Sequence, residues 1–505
     1  MLAVVISLAC WLFAPKQSDL AAAAFRSDLF KEHGLLIYNA QWYGGHHLLG
    51  YSLLSPPLGA WLGPMLLGAI CTVASVILFE RIVALEFGGW PARAGAVAFA
   101  VTAGASLLVG RIAFQVGLAL GLLAVYLAQR IRWGFACAAA ALSAVGSPLA
   151  GLFLALAAAA WTLATRTWIR GGLLVGSSLV PALVLQYAFR EGGTFPYARI
   201  SWLQAVATGV ACLVALPRFE KPLRYGFVLF LGLTLFAYVV PSPLGGNVNR
   251  VGTIFAGPLL VCALWGYRNW ILLAVGQLAF AWAIQPVVRD LPDAGGAMTK
   301  ASYYAPLRAE LASLHKPLRL EIPPTRNHWE GVYIGEHFMI ARGWERQLDQ
   351  KYAHLFYGTV ITPANYRHYL ARSGVQYVAL SDAPSDFASK SEADLLRKAP
   401  PRYLKPIWSN EHWRLFEVQG ATQLLTGPGR LVSQTPDTFT IDATRRGRFV
   451  MRLRYSPYWA LQSGHGCVAS AKGGWTKVTL RRAGRATVGM DFSPGRVVHS
   501  TPRCR

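Results

Sequence analysis

The chain has 505 residues, 54% of them hydrophobic, and a mean hydropathy of +0.36, which excludes an ordinary soluble protein and indicates many membrane spans. Lys and Arg outnumber Asp and Glu by 48 to 24, giving a formal net charge of +24. A basic balance suits nucleic acid, anionic lipid or a phosphorylated glycan. Beside a membrane we expect one of the last two and no nucleic acid.

Apolar runs fill the chain from its start to about residue 288 and predict eleven membrane-spanning helices. The candidate spans lie near residues 1–15, 53–79, 94–110, 112–129, 133–146, 148–164, 171–189, 201–217, 225–240, 251–267 and 270–286. With a cytoplasmic N-terminus, the dibasic clusters alternate between connections as positive-inside sorting requires, and the C-terminal region lies outside. The first span is short and no basic residue precedes it, so we expect an earlier start site; a cleaved signal peptide is the competing interpretation.

The connection after the first span, residues 16–52, is long and carries rare acidic side chains. Residues 1–288 contain seven acidic residues, two of them Asp, and Asp28 and Glu32 both lie in this connection. Residues 18–33 predict a helix with Ser18 as its N-cap. At i and i+4, Asp28 and Glu32 share one face of that helix. A carboxylate kept beside a membrane indicates a functional site.

Aromatic and imidazole side chains follow that helix. Trp42, Tyr43, His46 and His47 offer stacking surfaces and hydrogen-bonding groups that suit a sugar or headgroup, so we predict them as substrate contacts. For single aromatic residues, anchoring at the membrane interface is the alternative. Because neighbouring residues point to different sides of a regular element, one of the two histidines is expected to face a ligand and the other to be structural.

Two further outer connections supply candidate cations. Arg111 follows a glycine between two apolar spans, and Arg250 stands beside Asn247 and Asn249 at the start of another span. A guanidinium pairs bidentately with phosphate, so we predict these four residues as substrate-binding. Snorkelling of Arg111 to the interface is the alternative for that residue.

A metal site is left open by the sequence. Asp28, Glu32, His33, His46 and His47 are possible ligands, but their spacing matches no metal motif, and Mg²⁺ or Mn²⁺ is the cation such ligands would take. The predicted spans carry no acidic residue or Lys at their centres, which argues against a proton-coupled transporter.

The polar remainder of the chain predicts two outer parts. Residues 289–420 alternate short apolar runs with helical stretches and predict an α/β domain. Residues 421–505 alternate Thr, Val and Arg between Gly and Pro turns and predict a β-sandwich. Cys467 and Cys504 could pair on an oxidising side of the membrane, and the sequence does not decide whether they do.

The layout resembles the GT-C superfamily of membrane glycosyltransferases: a first span, a long outer loop with an acid on a juxtamembrane helix, about eleven spans and an outer C-terminal region. The local pattern of Asp28-Leu29-Phe30-x-x-His33, Asn39, Trp42-Tyr43-Gly44-Gly45-His46 and Pro56 is similar to bacterial, in particular actinobacterial, multi-span proteins labelled as related to 6-pyruvoyl-tetrahydropterin synthase. Residues 245–250, 328–330 and 341–349 extend that resemblance.

The resemblance implies an inverting glycosyltransferase with a polyprenyl-phosphate sugar donor and a glycan, lipid or protein acceptor in the cell envelope. Asp28 would be the general base and Glu32 its helper, while arginines would neutralise the departing phosphate. Two alternatives remain: a polyprenyl-lipid flippase or transporter, and a catalytically inactive envelope-assembly protein.

Overall fold

The computed structural model describes residues 1–314 and 317–498, and the chain divides into two compact units. Unit 1 comprises Met1–Gly34, Gly50–Gln186 and Gly192–Gly295, and unit 2 comprises Leu35–Leu49, Tyr187–Glu191 and Gly296–Arg505. The predicted outer loop 16–52 is therefore shared: its helix belongs to unit 1, whereas residues 35–49 belong to unit 2. Cys504 lies outside the described residues, and Cys467 lies in a strand of unit 2.

Unit 1 is helical. Its helices are α1 (Leu2–Phe13), α2 (Ser18–His33), α3 (Ser55–Leu62), α4 (Pro64–Phe87), α5 (Gly89–Leu108), α6 (Ile112–Gln129), α7 (Trp133–Gly146), α8 (Pro148–Thr165), α9 (Trp168–Ala188), α10 (Arg199–Ala215), α11 (Lys221–Val239), α12 (Asn249–Leu264) and α13 (Asn269–Asp290). A 3-10 turn, Gly245–Val248, precedes α12.

Among the described helices, eight are long and apolar enough to cross a membrane: α4, α5, α6, α8, α9, α11, α12 and α13. Three shorter apolar helices, α1, α7 and α10, have 12–17 residues. The chain is thus a multi-pass membrane protein, as its composition predicts, while the count of eleven spans stays a prediction. The predicted span 53–79 is wrong in one respect, because Gly63 at φ +81° and Pro64 break it into α3 and α4.

Small residues let the helices of unit 1 approach closely. A Cβ on Gly95 of α5 would lie 2.1 Å from Cys262 Sγ of α12, so only glycine fits there. The Thr102 hydroxyl of α5 also donates to the Ile254 carbonyl of α12 at 2.8 Å. Gln115 of α6 donates to the Ala103 carbonyl of α5 at 3.0 Å. These contacts hold the first turns of α6 and α12 beside the end of α5.

Unit 2 begins with a five-stranded sheet flanked by helices. Its strands run in the order β4 (Met339–Ile340), β3 (Arg319–Glu321), β5 (Tyr377–Ser381), β7 (Trp413–Val418) and β6 (Leu404–Ser409). The neighbouring helices are α14 (Ala301–Ser313), α15 (Glu330–Tyr333), α16 (Arg346–Tyr352), α17 (Pro363–Ser373) and α18 (Lys390–Lys398). Strands and helices alternate in this part of the chain, as the sequence predicts.

Buried charges connect the helices to this sheet. Arg342 donates to both carboxylate oxygens of Asp349, at 2.8 and 2.7 Å, and to Glu392 at 3.2 Å. Tyr366 donates to the other oxygen of Glu392 at 2.8 Å. Burial raises the pKa of the Glu392 carboxyl to about 7, although Arg342 acts in the opposite direction.

The C-terminal part of unit 2 is a β-sandwich, as the sequence predicts. One sheet has the order β12 (Trp459–Ser463), β15 (Gly484–Met490), β10 (Thr438–Ala443) and β9 (Gly429–Gln434); the other has β13 (Gly466–Ser470), β14 (Trp475–Leu480), β11 (Gly447–Arg454) and β8 (Leu425–Thr426). The helix α19 (Pro494–Val498) follows. Inward-facing side chains of both sheets, among them Phe439, Phe449 and Val488, form one core.

A short hairpin of residues 35–49 packs against this core. Its strands β1 (Tyr38–Asn39) and β2 (His46–His47) pair antiparallel. Tyr38 lies in the same apolar cluster as Phe439 and Trp459 and is 1% exposed. The hairpin is therefore part of the core of unit 2, even though the chain enters and leaves it from unit 1.

Candidate functional site

The helix α2 spans Ser18–His33, the range that the sequence predicts. Its N-cap is Gln17 rather than Ser18, and no side chain caps it. A run of four alanines favours the helix, and Gly34 at φ +71° ends it. The helix therefore presents Asp19 in its first turn and Asp28 and Glu32 nearer to its end.

Asp28 and Glu32 share a face of α2, as predicted, and both side chains are exposed. The Glu32 carboxylate lies 3.7 Å from Nε2 of its neighbour His33. Asp19 precedes Asp28 by nine residues, which is about 13 Å along the axis and half a turn around it. The two aspartates thus point to opposite sides of the helix.

Three side chains from distant parts of unit 1 converge at the start of α2. Arg111 Nε lies 3.4 Å from Asp19 Oδ2, and Arg250 Nη2 lies 3.8 Å from the same oxygen. The three side chains keep exposed fractions of 15% for Arg111, 20% for Arg250 and 27% for Asp19. We name Asp19, Arg111 and Arg250 the two-arginine cluster. It carries two positive charges against one negative charge.

Backbone partial charges add to this excess. Asp19 lies in the first turn of α2, Arg111 is the N-cap of α6, and Arg250 is the second residue of α12. Helix N-termini carry partial positive charge on N–H groups without intrahelical partners. Burial and the nearby Arg250 lower the pKa of Arg111 to about 10, while Asp19 acts in the opposite direction. The excess of positive charge at the two-arginine cluster therefore favours the binding of an additional anion.

Gly110 brings Arg111 to α2. Its φ of +86° is favourable only for glycine, and a Cβ there would lie 2.5 Å from the Leu20 backbone nitrogen. Any larger residue would push the connection between α5 and α6 away from the first turn of α2. The Gly110-Arg111 pair therefore fixes the distance between Arg111 and Asp19.

The predicted neighbours of Arg250 lie at the start of α12. Asn247 lies in the 3-10 turn Gly245–Val248, and Asn249 is the first residue of the helix. The Tyr197 hydroxyl donates to Asn249 Oδ1, and burial raises the pKa of Tyr197. Asn249 is therefore occupied in holding the connection between α9 and α10 beside Arg250.

Glycine again permits the close approach of that connection. Gly245 has a φ of +39°, and a Cβ on it would lie 1.9 Å from the Phe195 carbonyl oxygen. The Phe195 backbone N–H also donates to the Ser242 carbonyl at 3.0 Å. Residues 195–197 are thus fastened to the turn that leads into Arg250.

Trp42 and Tyr43 lie inside unit 2. Trp42 is 0% exposed, forms a parallel bridge with Ile340 at the edge of the five-stranded sheet, and donates from Nε1 to the Gly331 carbonyl at 3.2 Å. The Tyr43 hydroxyl donates to the Glu345 carbonyl at 3.1 Å. Burial therefore argues against sugar contact at Trp42 and Tyr43 and gives both residues a packing role.

The two histidines are also buried, and the prediction that one of them faces a ligand stays a prediction. His46 stacks on Trp42 and is 1% exposed. His47 Nδ1 lies 2.8 Å from Glu191 Oε1, and its Nε2 lies 2.9 Å from Ser456 Oγ. This Ser-His-Glu arrangement resembles a nucleophilic triad, but Ser456 is 0% exposed. It connects three segments of unit 2 rather than reaching a substrate.

Asp19 is the site residue that sequence reasoning missed. The sequence does not single it out, because the i, i+4 spacing favours Asp28 and Glu32 instead. An acid in the first turn of a helix after a span, together with arginines at two other outer connections, was the available signal.

Among the described residues, no group of three or more His, Cys, Asp or Glu side chains is arranged to hold a metal ion.

Comparison with known proteins gives similarity at the level of solved structures. The crystal structure of ArnT from Cupriavidus metallidurans in the apo state aligns over 82% of this chain and 97% of that chain, with a TM-score of 0.49 and 14% identity. The crystal structure of the same protein bound to undecaprenyl phosphate aligns over 83% and 98%, with a TM-score of 0.46 and 13% identity. No family model and no curated protein sequence matches the chain.

Proposed function

We propose that this chain is a membrane glycosyltransferase that transfers a sugar from a polyprenyl-phosphate donor to an acceptor of the cell envelope on the outer face of the membrane. The observation that carries the proposal is the two-arginine cluster in unit 1. Its two guanidinium groups face a single carboxylate at three helix N-termini, where a phosphate would be favoured. The apolar helices around it suit a polyprenyl chain.

The donor phosphate would compete with Asp19 for the two arginines. A phosphate oxygen between Arg111 and Arg250 would take the place of the Asp19 carboxylate, which lies within ion-pair distance of both. The freed carboxylate would turn away from the phosphate and remain at the start of α2. Inverting transfer requires it to reach the acceptor hydroxyl from the side of the anomeric carbon opposite the bound phosphate, so donor binding would free a base for that side.

Inverting transfer then needs one proton acceptor and one stabilised leaving group. The acceptor hydroxyl attacks the anomeric carbon, its proton passes to a carboxylate, and the bond from that carbon to the phosphate oxygen breaks. The electron pair stays on the polyprenyl phosphate, whose added charge the two guanidinium groups neutralise. The acceptor, the donor and the carboxylate account for every bond and proton in this step, so no further reactant is needed.

Two carboxylates of α2 compete for the role of base. Asp28, with Glu32 as helper, is the candidate from the sequence, and it lies about 13 Å from Asp19 on the opposite face of the helix. A base must come within about 3 Å of the hydroxyl that it deprotonates. If the phosphate binds at Arg111 and Arg250, the freed Asp19 carboxylate is the nearer of the two to the sugar, and we propose it as the base, acting from the side of the anomeric carbon opposite the phosphate.

The proposal is tested with farnesyl phosphate, a short polyprenyl phosphate, titrated against the full chain in neutral-lipid nanodiscs. We expect Arg111→Ala and Arg250→Ala each to weaken binding by about tenfold or more, since each removes a charged phosphate partner. Arg132→Ala is the matched control, because Arg132 is exposed at the connection between α6 and α7. Unchanged affinity in both cluster variants would refute the proposal.

Transfer itself is tested with a panel of polyprenyl-phosphate sugars and envelope acceptors, by measuring the release of polyprenyl phosphate. Release that requires acceptor and disappears in Asp19→Asn supports the proposed chemistry. Lipid movement across the bilayer with no release of sugar from any donor would instead support the flippase alternative.

A further inference from the structure

One end of the β-sandwich in unit 2 gathers four connections between strands. Register pairs Ala443 with Gly484, Gly447 with Leu480, and Leu480 with Gly466, so the connections at these strand ends are neighbours. The pairing of Gly429 with Ala443 adds the connection that precedes β9. The four connections are residues 427–428, 444–446, 464–465 and 481–483. We name these connections and the strand residues that flank them the arginine end.

Seven exposed arginines lie at the arginine end: Arg430, Arg445, Arg446, Arg448, Arg481, Arg482 and Arg485. The acid in these segments is Asp442, whose carboxylate lies 3.2 Å from Arg430. Among the described residues, no ion pair involves the other six arginines. Six like charges on short connections repel one another, so a bound polyanion would relieve that repulsion.

The opposite end of the sandwich is the one that joins the rest of unit 2. There the Ala40 backbone N–H donates to the Pro436 carbonyl at 2.7 Å, and the Arg454 N–H donates to the Gly44 carbonyl at 2.6 Å. Asp437 and Asp491 also lie at that opposite end. The arginine end therefore carries the larger excess of positive charge, and the described residues of unit 2 leave it accessible.

A groove runs between two of the connections at the arginine end. It is lined by Gly464, His465, Gly466, Cys467, Arg481 and Arg482. The Arg481 backbone N–H donates to the His465 carbonyl at 2.8 Å, which holds the two connections together. A chain of anionic groups could lie along this groove with guanidinium groups at its rim.

The composition of the arginine end decides which polyanion fits. Phe, Trp and Tyr are absent from residues 427–430, 444–448, 464–466 and 481–485, so His465 supplies the one aromatic ring of these segments and they form no extended platform on which successive bases could stack. They also expose no large apolar side chain for insertion into a bilayer. Arginine pairs bidentately with carboxylate, sulfate or phosphate groups.

We propose that the arginine end binds an anionic glycan, a sugar polymer that bears repeated carboxylate, sulfate or phosphate groups. The site is independent of the two-arginine cluster, which lies in the other unit. It gives this membrane protein a means to hold a charged polymer of the cell envelope, whether or not that polymer is also an acceptor of sugar transfer.

The test measures binding of a fluorescent heparin dodecasaccharide, a sulfated and carboxylated glycan, to the full chain in neutral-lipid nanodiscs. The variant replaces Arg445, Arg446, Arg481 and Arg482 by Gln. The control variant replaces four exposed cations of the α/β part, Lys390, Arg402, Lys405 and Arg414, by Gln. We expect the first variant to bind about tenfold or more weakly and the control to change by less than about threefold, because charge at one surface contributes locally.

A competition experiment distinguishes an anionic glycan from nucleic acid and from anionic lipid. Single-stranded DNA of equal charge and vesicles containing phosphatidylglycerol are each added as competitors. We expect either to compete about tenfold less well than unlabelled heparin, because the arginine end offers no series of aromatic rings for bases and no large apolar side chain for a bilayer. Equal competition by DNA or by vesicles would overturn the assignment to a glycan. Equal weakening in the two variants, or no heparin binding, would overturn the site itself. Unchanged melting temperatures show that the variants fold.

Discussion

Arg111 Nε lies 3.4 Å from Asp19 Oδ2, although ninety-two residues separate them in the sequence. The contact depends on Gly110, whose missing side chain lets the connection between α5 and α6 lie against the Leu20 backbone. The conformation and small size of Gly110 therefore control the distance between Arg111 and Asp19.

We therefore expect Gly110→Ala to destabilise the chain and to weaken farnesyl phosphate binding. The new Cβ would lie 2.5 Å from the Leu20 nitrogen at a φ of +86°. Strain and displacement together should cost about 2 kcal/mol or more, measured by thermal unfolding in detergent.

Gly63→Ala is the control for this change. Gly63 has a nearly equal φ of +81°, but a Cβ there meets no atom within 4 Å. Because its ψ is 139°, outside the left-handed helical region, the substitution should cost the backbone strain alone, about 1 to 3 kcal/mol, and should leave farnesyl phosphate binding unchanged. Equal effects of both substitutions on binding would show that the close approach at Gly110 does not position Arg111.

Asp19→Asn and Asp28→Asn separate the two candidates for the base. General base catalysis contributes about 10² to 10⁴ in rate, so we expect Asp19→Asn to lower transfer by that factor while farnesyl phosphate binding is kept or strengthened. Asp28→Asn should change the rate by less than about threefold, because its carboxylate lies on the opposite face of α2. The reverse order of effects would return the role to Asp28 and Glu32.

These outcomes bear on how far the sequence predicts the structure. The ranges of α6 and α7 follow from apolar runs ended by Arg or Gly, and α2 follows from an alanine run ended by Gly34, since such signals are local. The two-arginine cluster could not be predicted from the sequence, because its three residues lie in separate connections that come together only when the helices pack. The sequence pattern around a residue shows whether it is polar, but it does not show which distant residues it contacts in the folded chain.

The burial of Trp42 was unpredictable for a related reason. A Trp-Tyr-Gly-Gly sequence suits an exposed sugar-binding loop and a buried turn equally well. What decides between them is the bridge between Trp42 and Ile340, and the Gly331 carbonyl that accepts from Trp42 Nε1. Both partners lie about 290 residues further along the chain, beyond the reach of periodicity.

Trp42→Ala should accordingly destabilise the protein by about 3 to 5 kcal/mol, the usual range for removal of a fully buried large aromatic side chain. Trp408→Ala is the comparison, because Trp408 lies on the edge strand β6 and is only partly buried. We expect it to cost about 1 kcal/mol. Urea unfolding followed by tryptophan fluorescence measures both, and equal costs would mean that Trp42 is not packed as described.

The buried Glu392 predicts a dependence of stability on pH. Its pKa is raised to about 7 in the folded state, so between about pH 4.5 and pH 7 the folded chain binds more protons than the unfolded chain. Stability from this group is therefore fully present at low pH and is lost as the pH rises through 7. We expect a lower melting temperature at pH 8 than at pH 5.5.

Glu392→Gln should flatten that profile, because a neutral amide does not titrate. Glu411→Gln is the control, since Glu411 is exposed at the turn between β6 and β7. A profile that keeps its full slope in Glu392→Gln would assign the pH dependence to another group.

The hairpin of residues 35–49 has a consequence for biogenesis. Trp42 bridges Ile340 and Tyr38 packs on Trp459, which lie about 300 and about 420 residues later in the chain, so the segment leaves the ribosome long before these partners are synthesised. While the helices are inserted into the membrane, the side chains of Tyr38 and Trp42 therefore remain exposed. Tyr38 is buried only once the strands of the β-sandwich have been synthesised, so folding of this early segment is completed at the end of translation.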